Sequence, residues 1–92
     1  MELFYSARFR NSYKEAPSPI RRAFDKQTAF LSQNLRHPSL QAKKYDEARN
    51  IWQARVNDDW RFYFRIEGDT YVLLDIIPHP NSHPVSNRDV FS

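Results

Sequence analysis

Arginine is the residue type on which the chemistry of this sequence most depends. The 92-residue chain carries 14 lysine and arginine residues against 11 acidic ones. Arg55 and Arg61 flank the polar segment Asn57-Asp58-Asp59, which is typical of a turn between two strands. A guanidinium presents a rigid fork of donors that matches the oxygen atoms of a phosphate. The excess of positive charge therefore predicts an anionic partner, with nucleic acid the leading candidate, although a solvated charged face would give the same count.

Two alternating segments predict that these arginines share one face of a sheet. Residues 51–56 and 60–66 each alternate between apolar and polar side chains, as strands with one buried face do. The apolar positions predict the core face: Trp52, Ala54, Val56, Trp60, Phe62, Phe64 and Ile66. Arg55 and Arg61 belong to the opposite face, where they are expected to lie close together across the hairpin. The nearly all-apolar residues 71–77 predict an interior strand after a second turn.

The first part of the chain predicts one short strand and two helices. Residues 2–6 are typical of a strand, and Ser6 is expected to cap a short helix that ends before Pro17. Ser18-Pro19 predicts the start of a second helix, with the serine as N-cap and the proline at the first helical position. His37-Pro38 is expected to end that helix, which gives His37 a structural role.

Together these elements predict an α+β fold with a single domain. A short N-terminal strand precedes a helical hairpin, a three-stranded antiparallel meander follows, and both helices cover one face of the sheet. Residues 36–49 predict a long charged loop, of the kind that often carries function. The domain spans residues 1–92, and residues 82–92 are expected to form a mobile tail.

Composition excludes several classes of protein. The absence of cysteine excludes disulfides and zinc–cysteine sites, and the single glycine excludes a glycine-rich phosphate loop. No segment approaches the roughly 20 apolar residues that a membrane helix needs, and the first residues do not resemble a secretory signal. We therefore expect a cytoplasmic protein that uses no metal or other cofactor and does not associate with a membrane.

Three features resemble the RelE/ParE superfamily of toxins from bacterial type II toxin–antitoxin systems, from residue 1 to about residue 81. The first is the short strand followed by a helical hairpin. The second is His37-Pro38-Ser39-Leu40, with Lys43 and Lys44 following it. The third and strongest is the pair of segments IWQARVNDDWRFYF, from Ile51 to Phe64, and VLLDIIPH, from Val72 to His79.

The resemblance implies a toxin that a cognate antitoxin neutralises. Toxins of the RelE branch cut messenger RNA in the ribosomal A site, with the 2′-hydroxyl of the substrate as nucleophile and without a metal. Arg61 corresponds to the arginine that resembles the family's phosphate-stabilising residue, and Arg55 to a basic position that neutralises the phosphate or supports a base. His79 corresponds to the acid or base at the end of the last strand. The other expected contacts are Lys43, Lys44, Arg49, Gln53 and Arg65 with RNA, and Glu47 as a weaker candidate base.

Departures from the family pattern keep an alternative open. Gln53 stands where the RelE type has a basic residue, and residues 81–92 contain no tyrosine where the family usually has one. Members of the ParE branch poison DNA gyrase instead of cutting RNA. The alternative is therefore a gyrase inhibitor, or a catalytically degenerate toxin that acts only as an antitoxin-binding module.

The candidate residues also have structural explanations. His79, beside two prolines, could be a surface turn residue, and His83 is expected to take no part in the chemistry. Asp75 lies in an apolar strand, so that its burial would require a partner, for which we expect an arginine of a neighbouring strand. Arg55 and Arg61 could form ion pairs with nearby carboxylates, namely Asp58, Asp59 or Glu47.

Overall fold

The computed structural model, which describes residues 1–79, contains a five-stranded sheet with two helices packed on one face. The elements follow in this order: β1 (Glu2–Tyr5), α1 (Ala7–Glu15), α2 (Ser18–Gln33), a 3-10 turn (Pro38–Leu40), β2 (Lys43–Asp46), β3 (Ile51–Arg55), β4 (Trp60–Glu67) and β5 (Thr70–Pro78). The predicted α+β fold is confirmed. His83 and the tail predicted at 82–92 lie outside the described residues. Neither helix in this part of the chain is long and apolar enough to cross a bilayer.

The sheet is mixed, with strand order β1-β5-β4-β3-β2. Its first pair, β1 with β5, is parallel, and the other three pairs are antiparallel. The two central strands pair along their whole length, from Trp60 opposite Pro78 to Glu67 opposite Thr70. As a result, the residue that follows β5 lies beside the turn between β3 and β4.

The prediction of a loop over residues 36–49 is wrong for half of the segment. Residues 38–40 form the 3-10 turn, and β2 adds an edge strand in which Lys43 pairs with Gln53 and Lys44 with Trp52. Alternation does not predict this strand, because its residues, KKYD, are polar and show no apolar period. Backbone hydrogen bonds to β3 hold it in place.

The helix starts are set by side-chain and proline chemistry. Ser6 caps α1 as predicted, since its Oγ accepts from the backbone N–H of Phe9 at 3.1 Å. The predicted cap at Ser18 is wrong. Helix α2 already begins at Ser18, its N-cap position is Pro17, and Ser18 Oγ instead accepts from the Arg21 guanidinium at 3.1 Å.

An aromatic core joins the helices to the sheet. The ring of Phe24 lies 5.0 Å from that of Phe9 and 5.1 Å from that of Phe62, which it meets edge to face. All three side chains are almost completely buried. The core positions predicted from alternation are confirmed: Ala54, Val56, Phe62 and Phe64 are buried, and Trp52, Trp60 and Ile66 pack against them partly buried.

Gln27 joins α2 to two other elements through a buried set of hydrogen bonds. Its Nε2 donates to the carbonyl oxygens of Ser39, at 3.0 Å, and of Arg55, at 2.7 Å. Its Oε1 accepts from Ser39 Oγ at 2.8 Å. Because buried amides are costly when unpaired, this network fixes the 3-10 turn and the end of β3 relative to the helix.

The partner of Asp75 differs from our expectation. The carboxylate is buried and pairs with Arg8 at 3.0 Å, and this arginine belongs to α1 and not to a neighbouring strand. The reason is the shortness of β1, which pairs only with residues 70–73 of β5. The first turn of α1, carrying Arg8, reaches the stretch of β5 that follows.

Candidate functional site

The turn between β3 and β4 is organised by Asn57. Its side-chain oxygen accepts from the backbone N–H groups of Asp59, at 2.8 Å, and of Trp60, at 3.0 Å. Asparagine is favoured in turns because its side chain can replace a backbone acceptor in this way. The turn places Arg55 directly opposite Arg61 in the register of the hairpin.

Arg61 is held at this turn by backbone carbonyls. Its Nη1 donates to the carbonyl oxygens of Asn57, at 2.7 Å, and of Trp60, at 3.0 Å. Within residues 1–79 no carboxylate forms an ion pair with it, so its charge is available to an anion. Burial, and then the charge of Arg55, lower the pKa of Arg61 from its ordinary value. An arginine nevertheless stays protonated at neutral pH.

His79 follows β5 and is fixed by its backbone. Its N–H donates to the carbonyl oxygen of Asp59 at 2.6 Å. Nδ1 of the ring is buried and makes no hydrogen bond with the part of the chain that the structure describes. Burial, and then the positive charges of Arg61 and Lys43, lower the pKa of His79 below 6.5. The imidazole is therefore mostly neutral at pH 7 and can accept a proton.

Arg61 and His79 line a shared cavity of about 150 Å³ together with Gln41, Lys43 and Gln53. The five residues come from four parts of the chain. Gln41 and Lys43 lie just before β2 and in it, Gln53 lies in β3, Arg61 in β4, and His79 directly after β5. Four of them were site residues predicted from the sequence. The cavity combines two positive charges, a neutral imidazole and two amides, a set suited to binding a phosphate and moving a proton.

Gln53 is oriented by a tyrosine that sequence reasoning did not assign to the site. Its Nε2 donates to the hydroxyl of Tyr63 at 3.0 Å, and the ring of Tyr63 meets that of Tyr45 edge to face at 5.0 Å. Burial is the main reason that the pKa of Tyr63 is raised above 10.0. Alternation along β4 could have identified Tyr63, because it shares a face with Arg61.

Gln41 is the other cavity residue that was missed. It adopts the left-handed backbone conformation, with φ of 48°, directly after the 3-10 turn. Residues other than glycine rarely adopt this conformation, and no sequence signal marks it here.

Arg55, a predicted catalytic residue, does not line the cavity. Its guanidinium forms an ion pair with Asp58 within the β3–β4 turn. This is one of the ion pairs predicted from the sequence as a structural explanation for Arg55. Arg55 is nevertheless a direct neighbour of the site, because it lies opposite Arg61 on the adjacent strand.

The remaining predicted contacts lie away from the cavity. Lys44 points to the helix side of the sheet, with Nζ 5.3 Å from the centre of the Trp52 ring, and approaches Glu47 at 3.5 Å. The carboxylate of Glu47 is largely exposed. The other two are arginines in local ion pairs at 3.0 Å: Arg49 with Asp46, and Arg65 with Glu67.

Two further observations define the surroundings of the site. His37 does not end α2 as predicted, because the helix ends at Gln33 with Asn34 as its C-cap. It has a different structural role: its ring stacks on that of Phe30, with centres 3.8 Å apart, and its Nδ1 accepts from Ser39 N at the start of the 3-10 turn. Among residues 1–79 no group of three or more His, Cys, Asp or Glu side chains is arranged to hold a metal ion.

Comparison with known proteins finds matches in structure but not in sequence. No protein-family model matches the chain, and no curated protein sequence matches it. A YoeB/ParE toxin from Agrobacterium tumefaciens matches with a TM-score of 0.71 and 11% identity, over 86% of this chain and 99% of that one. YafQ from E. coli matches with a TM-score of 0.72 and 12% sequence identity, over 99% of this chain and 98% of that one. A chain of the RelB–RelE antitoxin–toxin complex from Methanococcus jannaschii matches with a TM-score of 0.68 and 21% sequence identity, over 97% of this chain and 99% of that one.

Proposed function

Because this chain has the fold of the RelE/ParE toxins, we propose that it is the toxin of a type II toxin–antitoxin system and a metal-independent endonuclease that cuts messenger RNA on the ribosome. The observation that carries the proposal is the cavity in which Arg61 and Lys43 surround the neutral imidazole of His79. Four predicted residues converge there, three on separate strands and His79 directly after β5, which supports a site and not a scattered basic surface.

The cavity has the groups that cleavage by the substrate's own 2′-hydroxyl requires. The 2′ oxygen attacks phosphorus, and the bond from phosphorus to the 5′ oxygen breaks, which leaves a 2′,3′-cyclic phosphate and a 5′-hydroxyl. His79 takes the proton of the 2′-hydroxyl as general base, and the leaving 5′ oxygen, on the opposite side of phosphorus, takes a proton from solvent. Arg61 and Lys43 stabilise the negative charge that accumulates on the phosphate oxygens, and Arg61 does so with little reorganisation because two backbone carbonyls already hold it.

The proposed neutralising partner is a cognate antitoxin. Two of the similar structures are complexes of a toxin with its antitoxin: RelB–RelE from Methanococcus jannaschii and RelBE2 from Mycobacterium tuberculosis. Net charge of +3 on this chain favours a partner that presents carboxylates to it. The proposed substrate is mRNA held by the ribosome, which places the activity in the cytoplasm.

The alternative function is inhibition of DNA gyrase, or antitoxin binding without catalysis. The observation that favours it is the ion pair of Arg55 with Asp58, which occupies one of the two arginines predicted to act on the phosphate. Gln53 also gives the cavity a neutral amide where a basic residue was expected from the resemblance.

Expression of the chain alone in bacteria distinguishes these functions. We expect growth to stop and pulse-labelled protein synthesis to fall before DNA synthesis, because mRNA is the target. The variants Arg61→Ala and His79→Ala should grow, whereas Arg22→Ala, an exposed arginine on α2, should still arrest growth. Early loss of DNA synthesis, with cleaved DNA trapped on gyrase, would favour the alternative.

A further inference from the structure

A second cavity, of about 280 Å³, lies where the end of β1 meets the two helices. Four aromatic and two charged side chains line it: Tyr5, Phe9, Arg10, Tyr13, Phe24 and Asp25. The rings of Phe9 and Phe24 are almost completely buried and form its floor. Tyr5 is 37% exposed and Tyr13 is partly buried, and their rings contact that of Phe9 with centres 5.5 Å and 5.9 Å away. The two tyrosines therefore form walls that a ligand can reach.

The hydrogen-bonding capacity of this aromatic cavity is concentrated at Asp25. Its carboxylate accepts from the hydroxyl of Tyr13, which lies 3.0 Å from one oxygen and 3.2 Å from the other. Burial, and then the charge of Asp25, raise the pKa of Tyr5 above 10.0, which indicates that the carboxylate lies near this tyrosine too. Because a carboxylate has about four acceptor positions, Asp25 can accept further hydrogen bonds from a ligand.

Positive charge flanks the opening of the aromatic cavity. Arg10 is exposed, and its side chain forms no hydrogen bond or ion pair within residues 1–79. Lys14 is exposed one turn further along α1. The charge of Arg21 opposes the rise in the pKa of Tyr13 that burial and Asp25 cause, so this guanidinium is also close. These charges attract an anionic chain and disfavour an organic cation as the ligand.

We propose that the aromatic cavity binds one unpaired nucleobase of a single-stranded RNA whose phosphates lie against Arg10 and Lys14. Sites for single strands combine aromatic rings, on which bases stack, with cations that follow the backbone. A nucleobase is a flat ring with N–H donors at its edge, which suits both the tyrosine walls and the carboxylate of Asp25. The volume is just below the roughly 300–1,000 Å³ of sites for drug-sized ligands, so it suits a single base.

The aromatic cavity lies at the far side of the sheet from Arg61 and His79. It adjoins β1, whereas the cavity of those two residues includes Lys43 of β2, and β1 and β2 are the two edge strands. Occupation of one cavity therefore does not block the other. The inference goes beyond the proposed function, because base binding here is expected whether or not the other cavity cuts RNA.

Two 2′-O-methylated pentanucleotides test the proposal: one carries a single adenine at its centre and the other carries no base. They have the same phosphates and cannot be cut, so the difference in their affinities isolates the contribution of the base. Tyr5→Ala and Phe4→Ala form the matched comparison, because both side chains are exposed on β1 but neighbouring residues of a strand point to opposite faces. Binding is measured by fluorescence anisotropy at several salt concentrations.

We expect the adenine to tighten binding to the wild-type protein by about 5-fold to 150-fold, which corresponds to one base stacked on aromatic side chains. Tyr5→Ala should remove most of this advantage without changing the salt dependence, whereas Phe4→Ala should keep the advantage. Arg10→Gln should weaken binding of both pentanucleotides and reduce the salt slope by up to about 0.7, because it removes a phosphate contact. In NMR spectra the ring signals of Tyr5 and Tyr13 should shift when the adenine pentanucleotide is added.

Equal affinities of the wild-type protein for the two pentanucleotides would overturn the proposal, and so would equal losses in Tyr5→Ala and Phe4→Ala. If adenosine monophosphate binds as tightly as the adenine pentanucleotide, the ligand is a free nucleotide and the RNA assignment is wrong. If indole shifts the tyrosine signals and the adenine pentanucleotide does not, the cavity takes an apolar side chain of a protein, which also overturns it. Because neither pentanucleotide can be cut, the predicted pattern in a protein that does not cleave mRNA would support this site and reject only the nuclease.

Discussion

The backbone N–H of His79 donates to the carbonyl oxygen of Asp59 at 2.6 Å. This bond fastens the end of β5 to the turn that carries Arg61, so that the imidazole and the guanidinium line the same cavity although they belong to different strands. The attachment is made by main-chain atoms. Side-chain substitutions in the cavity therefore test chemistry with little effect on the position of the strands.

Replacement of Arg61 should reduce mRNA cleavage strongly. We expect Arg61→Ala to lower the cleavage rate by about 10²-fold to 10³-fold, the typical cost of removing one group that stabilises developing charge. The rate of Arg61→Lys should fall between those of the wild type and Arg61→Ala, because lysine restores the charge but not the guanidinium whose Nη1 donates to the two carbonyls. The rate is measured on a message being translated. A rate for Arg61→Ala within a factor of about three of the wild type would contradict the role.

The acid limb of the activity profile should lie below pH 6.5. The pKa of His79 is lowered, and the neutral form is the base, so activity should rise as pH increases through that lowered pKa and should be flat near pH 7. NMR titration of the His79 ring measures the pKa directly. Lys43→Gln removes one of the charges that lower it and should move the midpoint upward.

Lys44→Gln is the control for that titration. It removes the same charge from the next residue, which lies over Trp52 on the helix side of the sheet. The midpoint of His79 should stay near the wild-type value in this variant. Equal upward movement in the Lys43 and Lys44 variants would mean that the cavity geometry does not set the pKa.

The contribution of the Gln27 hydrogen bonds should be measurable as a change in the free energy of unfolding. Gln27→Met leaves the carbonyl oxygens of Ser39 and Arg55 without their donor, which should cost about 1–3 kcal/mol. For a domain of this size that corresponds to a fall in Tm of about 4–8 °C per kcal/mol. Gln33→Met, at the exposed end of the same helix, should change stability by less than about 0.5 kcal/mol. Similar Tm values for the two variants would show that the network is not stabilising.

The aromatic core should respond to truncation far more than the exposed edge strand does. Phe24→Ala should destabilise the domain by about 3–5 kcal/mol, because its ring packs between those of Phe9 and Phe62. Phe4→Ala, at a position that is 57% exposed on β1, should change the free energy of unfolding by less than about 0.5 kcal/mol. Urea unfolding measures both, and a comparable loss for Phe4 would indicate that β1 packs differently.

The sequence predicted elements best where side-chain alternation is dense. In β3 and β4 every second residue is apolar, and the faces of Trp60, Phe62 and Arg61 follow from that period alone. In β2 the residues are polar, so an edge strand held by backbone bonds has no apolar pattern to reveal it. The observed start of α2 differs from the predicted one by one position, because Ser18 is the first residue of the helix and not its N-cap.

The candidate site shows the same division. The proximity of Arg61, His79 and Gln53 could be predicted, because strand order and the resemblance indicate which strand ends lie next to each other. Gln41 depends on a left-handed backbone conformation, and the choice of Arg55 between Asp58 and an external anion depends on the shape of one turn. Neither is encoded by residue type and spacing, so only coordinates reveal them.

Cleavage of a defined message in a reconstituted translation reaction tests the central claim most directly. Purified wild-type protein should cut the message at the A-site codon and leave a 5′-hydroxyl on the downstream fragment. Arg61→Ala and His79→Ala should leave the message intact under the same conditions, and Arg22→Ala should cut as the wild type does. An uncut message with wild-type protein, or cutting by both cavity variants at the wild-type rate, would contradict the account.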